Sequence, residues 1–112
     1  MNITTRIAIE KRITKFLLKT IESQGFDIRI WDGEEGQNVS AIDALDLAMD
    51  LDECSIYAYA IEDGKKAYKA SFYLVYGNDG YDVICDHSVN DVTSAILEVV
   101  QPLCDELELK HG

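Results

Sequence analysis

The stretch YKASFYLVYGNDGYDVICD, residues 68–86, decides the fold. Successive side chains of a β-strand point to opposite faces, so the alternation in its first half predicts a strand with one apolar face. That face consists of Tyr68, Ala70, Phe72, Leu74 and Tyr76. Tyr81, Val83 and Cys85 repeat the alternation after residues 77–80, GNDG, which tolerate the positive φ of a tight turn. The stretch therefore predicts a β-hairpin.

A further strand extends this hairpin into a three-strand antiparallel meander. Residues 53–61 alternate in the same way, and residues 62–65, EDGK, contain the Asp-Gly pair that favours a hairpin turn. The six tyrosines of the chain all lie in this meander, at positions 57, 59, 68, 73, 76 and 81. Because only Lys65, Lys66 and Lys69 accompany them, we expect the tyrosines to pack in the core and the sheet rather than to stack on nucleic-acid bases.

Two helices and a short strand are predicted before the meander. Apolar residues at three- and four-residue steps indicate an amphipathic helix from residue 4 or 5 to Ser23, with a threonine as its N-cap. Residues 26–31 alternate as a strand, and residues 32–36 are predicted to form a turn or an exposed loop. Ser40 is expected to cap a helix over residues 41 to about 51.

The chain ends in a third helix, which Ser88 or Asn90 is expected to cap. Pro102 lies inside its apolar periodicity, so we expect a kink or a break near residues 99–101. The predicted order is helix, strand, helix, three-strand meander, helix. This order indicates an α+β fold in which helices cover one face of a mainly antiparallel sheet, and 112 residues correspond to a single domain.

Charge is distributed unevenly along the chain. The net charge is −11, yet residues 1–30 hold six basic and three acidic residues, and residues 31–112 hold four basic and eighteen acidic ones. Such a surface repels phosphates, so direct binding to nucleic acid is not expected. The complementary partner is a protein with a basic surface.

The acidic residues are concentrated between Asp32 and Glu53, a segment with eight acidic residues and no basic one. In the predicted second helix, three aspartates at i, i+3 and i+7 form an acidic stripe. This stripe is interpreted either as a solvated helix face or as a docking surface for a cationic partner. Trp31 is interpreted either as an apolar anchor or as a residue that packs against a helix. The candidate partner-binding residues are Trp31, Glu34, Glu35, Asp43, Asp46, Asp50, Asp52 and Glu53.

No catalytic residue, metal site or cofactor is predicted. Cys85, Asp86 and His87 place a thiol and an imidazole together, but no oxyanion-hole signature supports a nucleophile there. The three cysteines are widely spaced among apolar neighbours, which favours buried free thiols in a reducing cytoplasm. No signal peptide or membrane span is recognisable, so a soluble intracellular protein is expected.

Several segments also resemble a family of small uncharacterised proteins encoded by phages and prophages. They are WDGEE at residues 31–35, an alanine-rich segment, DLDE at residues 50–53 and YGNDGYDVI at residues 76–84. The resemblance covers about the middle two thirds of the chain. It implies a phage or mobile-element context, and hence the cytoplasm of a host cell, but it carries no activity.

Together these features predict a small acidic accessory protein that binds and inhibits a cationic protein. That protein would be a nucleic-acid-handling one if the acids imitate nucleic-acid charge, and the inhibition would be of an anti-defence or immunity type. The alternative is an assembly protein, a homodimer formed through its exposed sheet or its last helix, in which the acids serve only solubility.

Overall fold

A computed structural model describes residues 2–32 and 36–111. Within them the chain forms, in order, α1 (Ile3–Ser23), β1 (Asp27–Trp31), β2 (Gly36–Val39), α2 (Ala41–Met49), β3 (Glu53–Glu62), β4 (Lys65–Val75), β5 (Ile84–His87) and α3 (Asp91–His111). The strands form one antiparallel sheet in the order β2-β1-β3-β4-β5. The predicted α+β class and the meander of β3, β4 and β5 are confirmed.

The hydrophobic core lies between one face of this sheet and the helices. Alternate residues of the central strands are buried there, and Ile56 of β3 pairs directly with Phe72 of β4. The helices contribute fully buried side chains such as Leu17 and Ile96. Burial of each large apolar side chain stabilises the fold by about 1.5–3 kcal/mol. No helix in the described part of the chain is long and apolar enough to cross a membrane.

The second strand, β2, was not predicted. Of the turn or loop expected over residues 32–36, Gly36 begins this strand, and residues 33–35 lie outside the described residues. The structure instead pairs Gly36–Val39 antiparallel with β1. Gln37 and Asn38 give this strand no apolar alternation, and both are exposed at the edge of the sheet. Backbone hydrogen bonds to β1 hold this strand in place, and a hydrophobic pattern does not reveal such pairing.

The tight hairpin predicted within residues 68–86 is wrong in its second half. β4 ends at Val75 and β5 begins at Ile84, so a loop of residues 76–83 replaces the tight turn predicted at residues 77–80. The Val75 amide still donates to the Val83 carbonyl at 2.9 Å, which closes the loop at its base. Beyond it the pairing of β4 with β5 is irregular, and Cys85 is exposed rather than on the apolar face.

A β-bulge in β4 overturns the predicted position of Tyr68. Ala58 pairs with Ala70, but the next residue of β3, Tyr59, pairs with Tyr68, so Lys69 is an extra residue. Such an insertion reverses the alternation on one side of the bulge. Tyr68 therefore leaves the apolar face and lies beside Tyr59 on the face opposite the helices.

The helices differ from the predictions mainly at their ends. Asn2, rather than a threonine, caps α1 by accepting a hydrogen bond from the Thr5 amide, and α2 ends at Met49. Of the kink or break predicted near residues 99–101, the break is wrong, because the helix continues through Pro102. Pro102 is exposed while neighbouring residues on the inner side, such as Val100, are buried, so core packing holds both halves in one helix.

Candidate functional site

The sheet face opposite the helices, here called the open face, is covered by no other element of the described chain. It carries the side chains that alternate with the buried ones on β1, β3 and β4. Trp31 and Tyr68 are exposed there to 36% and 53%. The expectation that the tyrosines pack in the core and sheet is therefore wrong for Tyr68, and the alternative of Trp31 against a helix is also wrong.

A groove of about 570 Å³ crosses the open face. Its size lies in the range of small-molecule sites. Side chains from β1, β3, β4 and the segment before α3 line it: Arg29, Trp31, Tyr57, Tyr68, Lys69, Ala70, Ser71, Ser88 and Asn90. It combines three aromatic rings with two cationic side chains.

Two contacts across the edge strand β2 hold Arg29 in the groove. Its Nη1 donates a hydrogen bond to Asn38 Oδ1 at 3.2 Å. Its guanidinium also occupies the space that a side chain at Gly36 would need, because a Cβ there would lie 2.4 Å from Nη2. The absence of a side chain at position 36 therefore leaves room for the guanidinium, a role that the sequence did not indicate.

Lys69, the second cation of the groove, has a carboxylate partner. Its Nζ forms an ion pair with Glu62. Arg29 forms no ion pair with a carboxylate among the described residues. Within the described residues, Arg29 is thus the groove cation without a carboxylate partner.

The aromatic side chains beside the groove pack against one another. The Tyr68 ring meets that of Tyr57 edge-on, with centroids 5.7 Å apart, and lies 5.9 Å from that of Tyr59. Lys66 Nζ lies 5.5 Å from the Tyr59 centroid, a cation–π distance. These contacts restrict the rings, so little conformational freedom is left to lose when a ligand binds.

The predicted acidic residues are exposed wherever the structure describes them. Asp43 and Asp46 lie on α2, and Asp50 caps its C-terminus. Asp52 and Glu53 follow at the start of β3. Within the described residues none of the five forms an ion pair. The remaining two candidates, at positions 34 and 35, lie outside the described residues.

The structure brings only some of these candidates together. Trp31, Asp32 and Glu53 line one small cavity of about 180 Å³. The Glu53 carboxylate accepts a hydrogen bond from the Tyr73 hydroxyl, which raises the Tyr73 pKa because the proton is held in that bond. Asp43 begins the acidic stripe at the other end of α2, about 10 Å along the helix from Asp50. The described acids and Trp31 are therefore not gathered into one compact site.

Sequence analysis missed a buried carboxylate, Glu10 of α1, which is 2% exposed. Its Oε2 accepts a hydrogen bond from the Gly77 amide at 2.7 Å, and its Oε1 lies 3.4 Å from Arg6 Nε. Nearby, the hydroxyls of Thr14 and Tyr76 are 3.0 Å apart. These contacts fix the loop of residues 76–83 to α1. The sequence feature that could have indicated this buried carboxylate was the position of a glutamate within the apolar stripe of the helix.

The thiols differ from the prediction that all three are buried. Cys54 and Cys104 are buried, and burial raises the pKa of each to about 11. Cys85 is exposed. The nearby His87 ring has its Nδ1 2.8 Å from the Ser88 carbonyl oxygen. In the described ranges no three metal-ligating side chains are grouped closely enough to hold an ion.

Comparisons with known proteins give no assignment. The chain matches no protein-family model, no curated protein and no solved structure.

Proposed function

We propose that the chain is an acidic binding protein that occupies a cationic surface on another protein and inhibits it. The exposed aspartates of α2, with Asp52 and Glu53, supply the charge for this docking surface. Trp31 adds an apolar contact at the end nearest Glu53. The partner is a host or mobile-element protein with a basic surface, in the cytoplasm of a host cell.

One observation carries this proposal: Asp43, Asp46, Asp50 and Asp52 are exposed and have no basic partner within the described residues. Carboxylates held close together without counter-charges repel one another by a few tenths of a kcal/mol per helical pair. A partner that supplies cations removes this repulsion and gains steered association.

The inhibitory role rests on the pattern of charge. A row of carboxylates on one helix resembles the regular negative charge of a nucleic-acid backbone, so a nucleic-acid-handling protein is a suitable target. The resemblance of residues 31–35 and 76–84 to phage-encoded proteins implies a phage or mobile-element context, and an anti-defence or immunity role is the proposal that suits this context. We propose no catalytic step for it.

The first experiment is an affinity pull-down from host lysate, followed by charge reversal. The wild-type chain should retain a basic protein at low salt and release it near 0.5 M salt, where screening shortens the range of these charges to a few ångströms. Replacing Asp43, Asp46 and Asp50 with lysine should weaken the recovered complex about tenfold or more.

The matched control reverses three exposed acids of α3, Glu98, Glu106 and Glu108, and so changes the net charge by the same amount. This control should retain the partner, with far-UV circular dichroism confirming that both variants fold. Equal binding by the two variants would refute a docking role for α2, because only overall charge would then matter.

A second candidate function is assembly, favoured by the exposed apolar residues of the open face. Ile61 and Tyr68 are exposed to 57% and 53% on this face, which also carries Trp31. We infer that a homodimer formed through it would bury them. Light scattering should then give the mass of two chains, and Tyr68→Lys should return it to one. A monomer at all concentrations removes this candidate.

A further inference from the structure

The groove on the open face has a chemistry opposite to that of the acidic docking surface. We propose that it binds a nucleoside monophosphate, with the base stacked on Trp31 and Tyr57 and the phosphate held by Arg29. This site shares Trp31 with the proposed docking surface, but its cation, Arg29, takes no part in docking, so the site does not depend on it.

The phosphate position follows from Arg29. A guanidinium has five N–H donors in a planar fork that matches phosphate oxygens in pairs. One donor nitrogen reaches Asn38 Oδ1, and no carboxylate pairs with the group among the described residues. Packing against Gly36 and the hydrogen bond to Asn38 hold the guanidinium in place before a ligand binds, so binding loses less side-chain entropy.

The base position follows from the rings. Arg29 and Trp31 stand on the same face of β1, and the β1–β3 pairing places Tyr57 directly opposite Arg29. An indole and a phenol ring therefore lie beside the cation in the lining of the groove. Stacking of a base on an aromatic side chain contributes about 1–3 kcal/mol and tolerates any base.

The overall charge selects a short ligand over a long one. A single-stranded nucleic acid would carry its phosphates past Asp27, Glu53 and Asp86, which are also exposed along β1, β3 and β5. A mononucleotide places its phosphate at Arg29 alone. The groove volume of about 570 Å³ matches one small molecule of this kind.

Trp31 is the only tryptophan of the chain, so its fluorescence reports on this groove directly. The full chain is titrated with AMP, GMP, CMP and UMP under excitation at a wavelength that nucleotides do not absorb. We expect saturable quenching by at least one nucleotide. Adenosine, which has the ring without the phosphate, and inorganic phosphate, which has the anion without the ring, should each bind at least about tenfold more weakly.

Two variants test the assigned contacts. Arg29→Gln removes the cation, and Gly36→Ala adds a methyl group where the guanidinium lies, at a position whose φ does not require glycine. Both should weaken nucleotide binding about tenfold. Lys19→Gln, which removes one positive charge from an exposed position on α1, should leave it unchanged. If Gly36→Ala fails to fold, Asn38→Ala tests the same support of Arg29.

Each outcome decides for or against the site. Saturable quenching that is lost in Arg29→Gln and kept in Lys19→Gln supports it. The proposal is overturned by no response to any of the four nucleotides at millimolar concentration, or by equal responses in Arg29→Gln and Lys19→Gln. It is also overturned by a response that follows protein concentration instead of nucleotide, which indicates self-association, or by an oligonucleotide that binds more than tenfold tighter, which indicates a single-strand site.

Discussion

The carboxylate of Glu10 should be the most sensitive polar position in the fold, and Glu10→Ala tests this. The substitution removes a charged acceptor 2.7 Å from the Gly77 amide at a position that is 2% exposed. A hydrogen bond to a charged group contributes about 1.5–3 kcal/mol. It also leaves Arg6 Nε, which is shielded from solvent and has no hydrogen-bond partner in the described part of the chain, without its nearby carboxylate.

Breaking a buried pair costs about 3–5 kcal/mol, and the 27% exposure of the Arg6 side chain favours the lower end because the guanidinium can turn toward water. We therefore expect the free energy of unfolding to fall by about 3 kcal/mol and the melting temperature by about 12 °C. Glu10→Gln keeps an oxygen for the Gly77 amide and should lose about half as much.

Urea denaturation followed by circular dichroism measures these changes, with Glu98→Ala as an exposed control expected within about 0.5 kcal/mol of the wild type. Hydrogen exchange adds a local measurement, because the Gly77 amide should lose protection in Glu10→Ala beyond the global loss of stability. If Glu10→Ala matches Glu98→Ala in unfolding free energy, the reasoning from burial and pairing is refuted.

Two further features should respond to the solvent or to substitution. A thiol reagent at pH 8 should label Cys85 alone in the native chain and all three thiols in urea, whereas rapid native labelling of Cys54 or Cys104 would contradict their burial. Burial raises the pKa of Cys54 and Cys104 from 9.0 to about 11, so these thiols ionise first in the unfolded chain, and the free energy of unfolding should fall between pH 9 and 11. A Cys54→Ala, Cys104→Ala variant should lose less unfolding free energy over that range. Equal slopes of unfolding free energy against pH in the two proteins would contradict this. Gly80→Ala should lower the unfolding free energy by about 2 kcal/mol, since φ is +93° and the new Cβ would lie 3.2 Å from Ile9 Cγ2; an unchanged urea midpoint would show that the loop relaxes freely.

The periodic parts of the fold could be predicted from the sequence, and the irregular parts could not. Apolar spacing indicated α1, α2, α3 and the central strands, because these elements bury one face. β2 buries little and is ordered by pairing with β1, so its residues carry no such signal. The loop of residues 76–83 has turn residues, but their course depends on Glu10, which is distant in sequence.

The candidate site illustrates the same limit. The acids near α2 were identified from composition, since charged residues on a helix remain at the surface. The groove was not, because it depends on Lys69 being an extra residue in β4, and strict alternation had assigned Tyr68 to the core. A bulge is defined by the pairing of two strands, whereas the sequence of each strand alone shows regular alternation. The functional predictions for the acidic residues remain predictions.

The two surfaces differ in how they should respond to salt, and this follows from the range of electrostatic interactions. A net charge of −11 describes the chain at a distance, but at physiological ionic strength the Debye length is about 8 Å, so contact with Arg29 is decided by its neighbours. For a nucleotide in the groove, added salt weakens both attraction to Arg29 and repulsion by the rest of the chain, and the two effects oppose each other. For a cationic protein on the acidic docking surface, local and overall charge both attract, so salt weakens both together. Partner binding should therefore depend steeply on ionic strength and nucleotide binding only weakly, which allows the two proposals to fail or succeed independently.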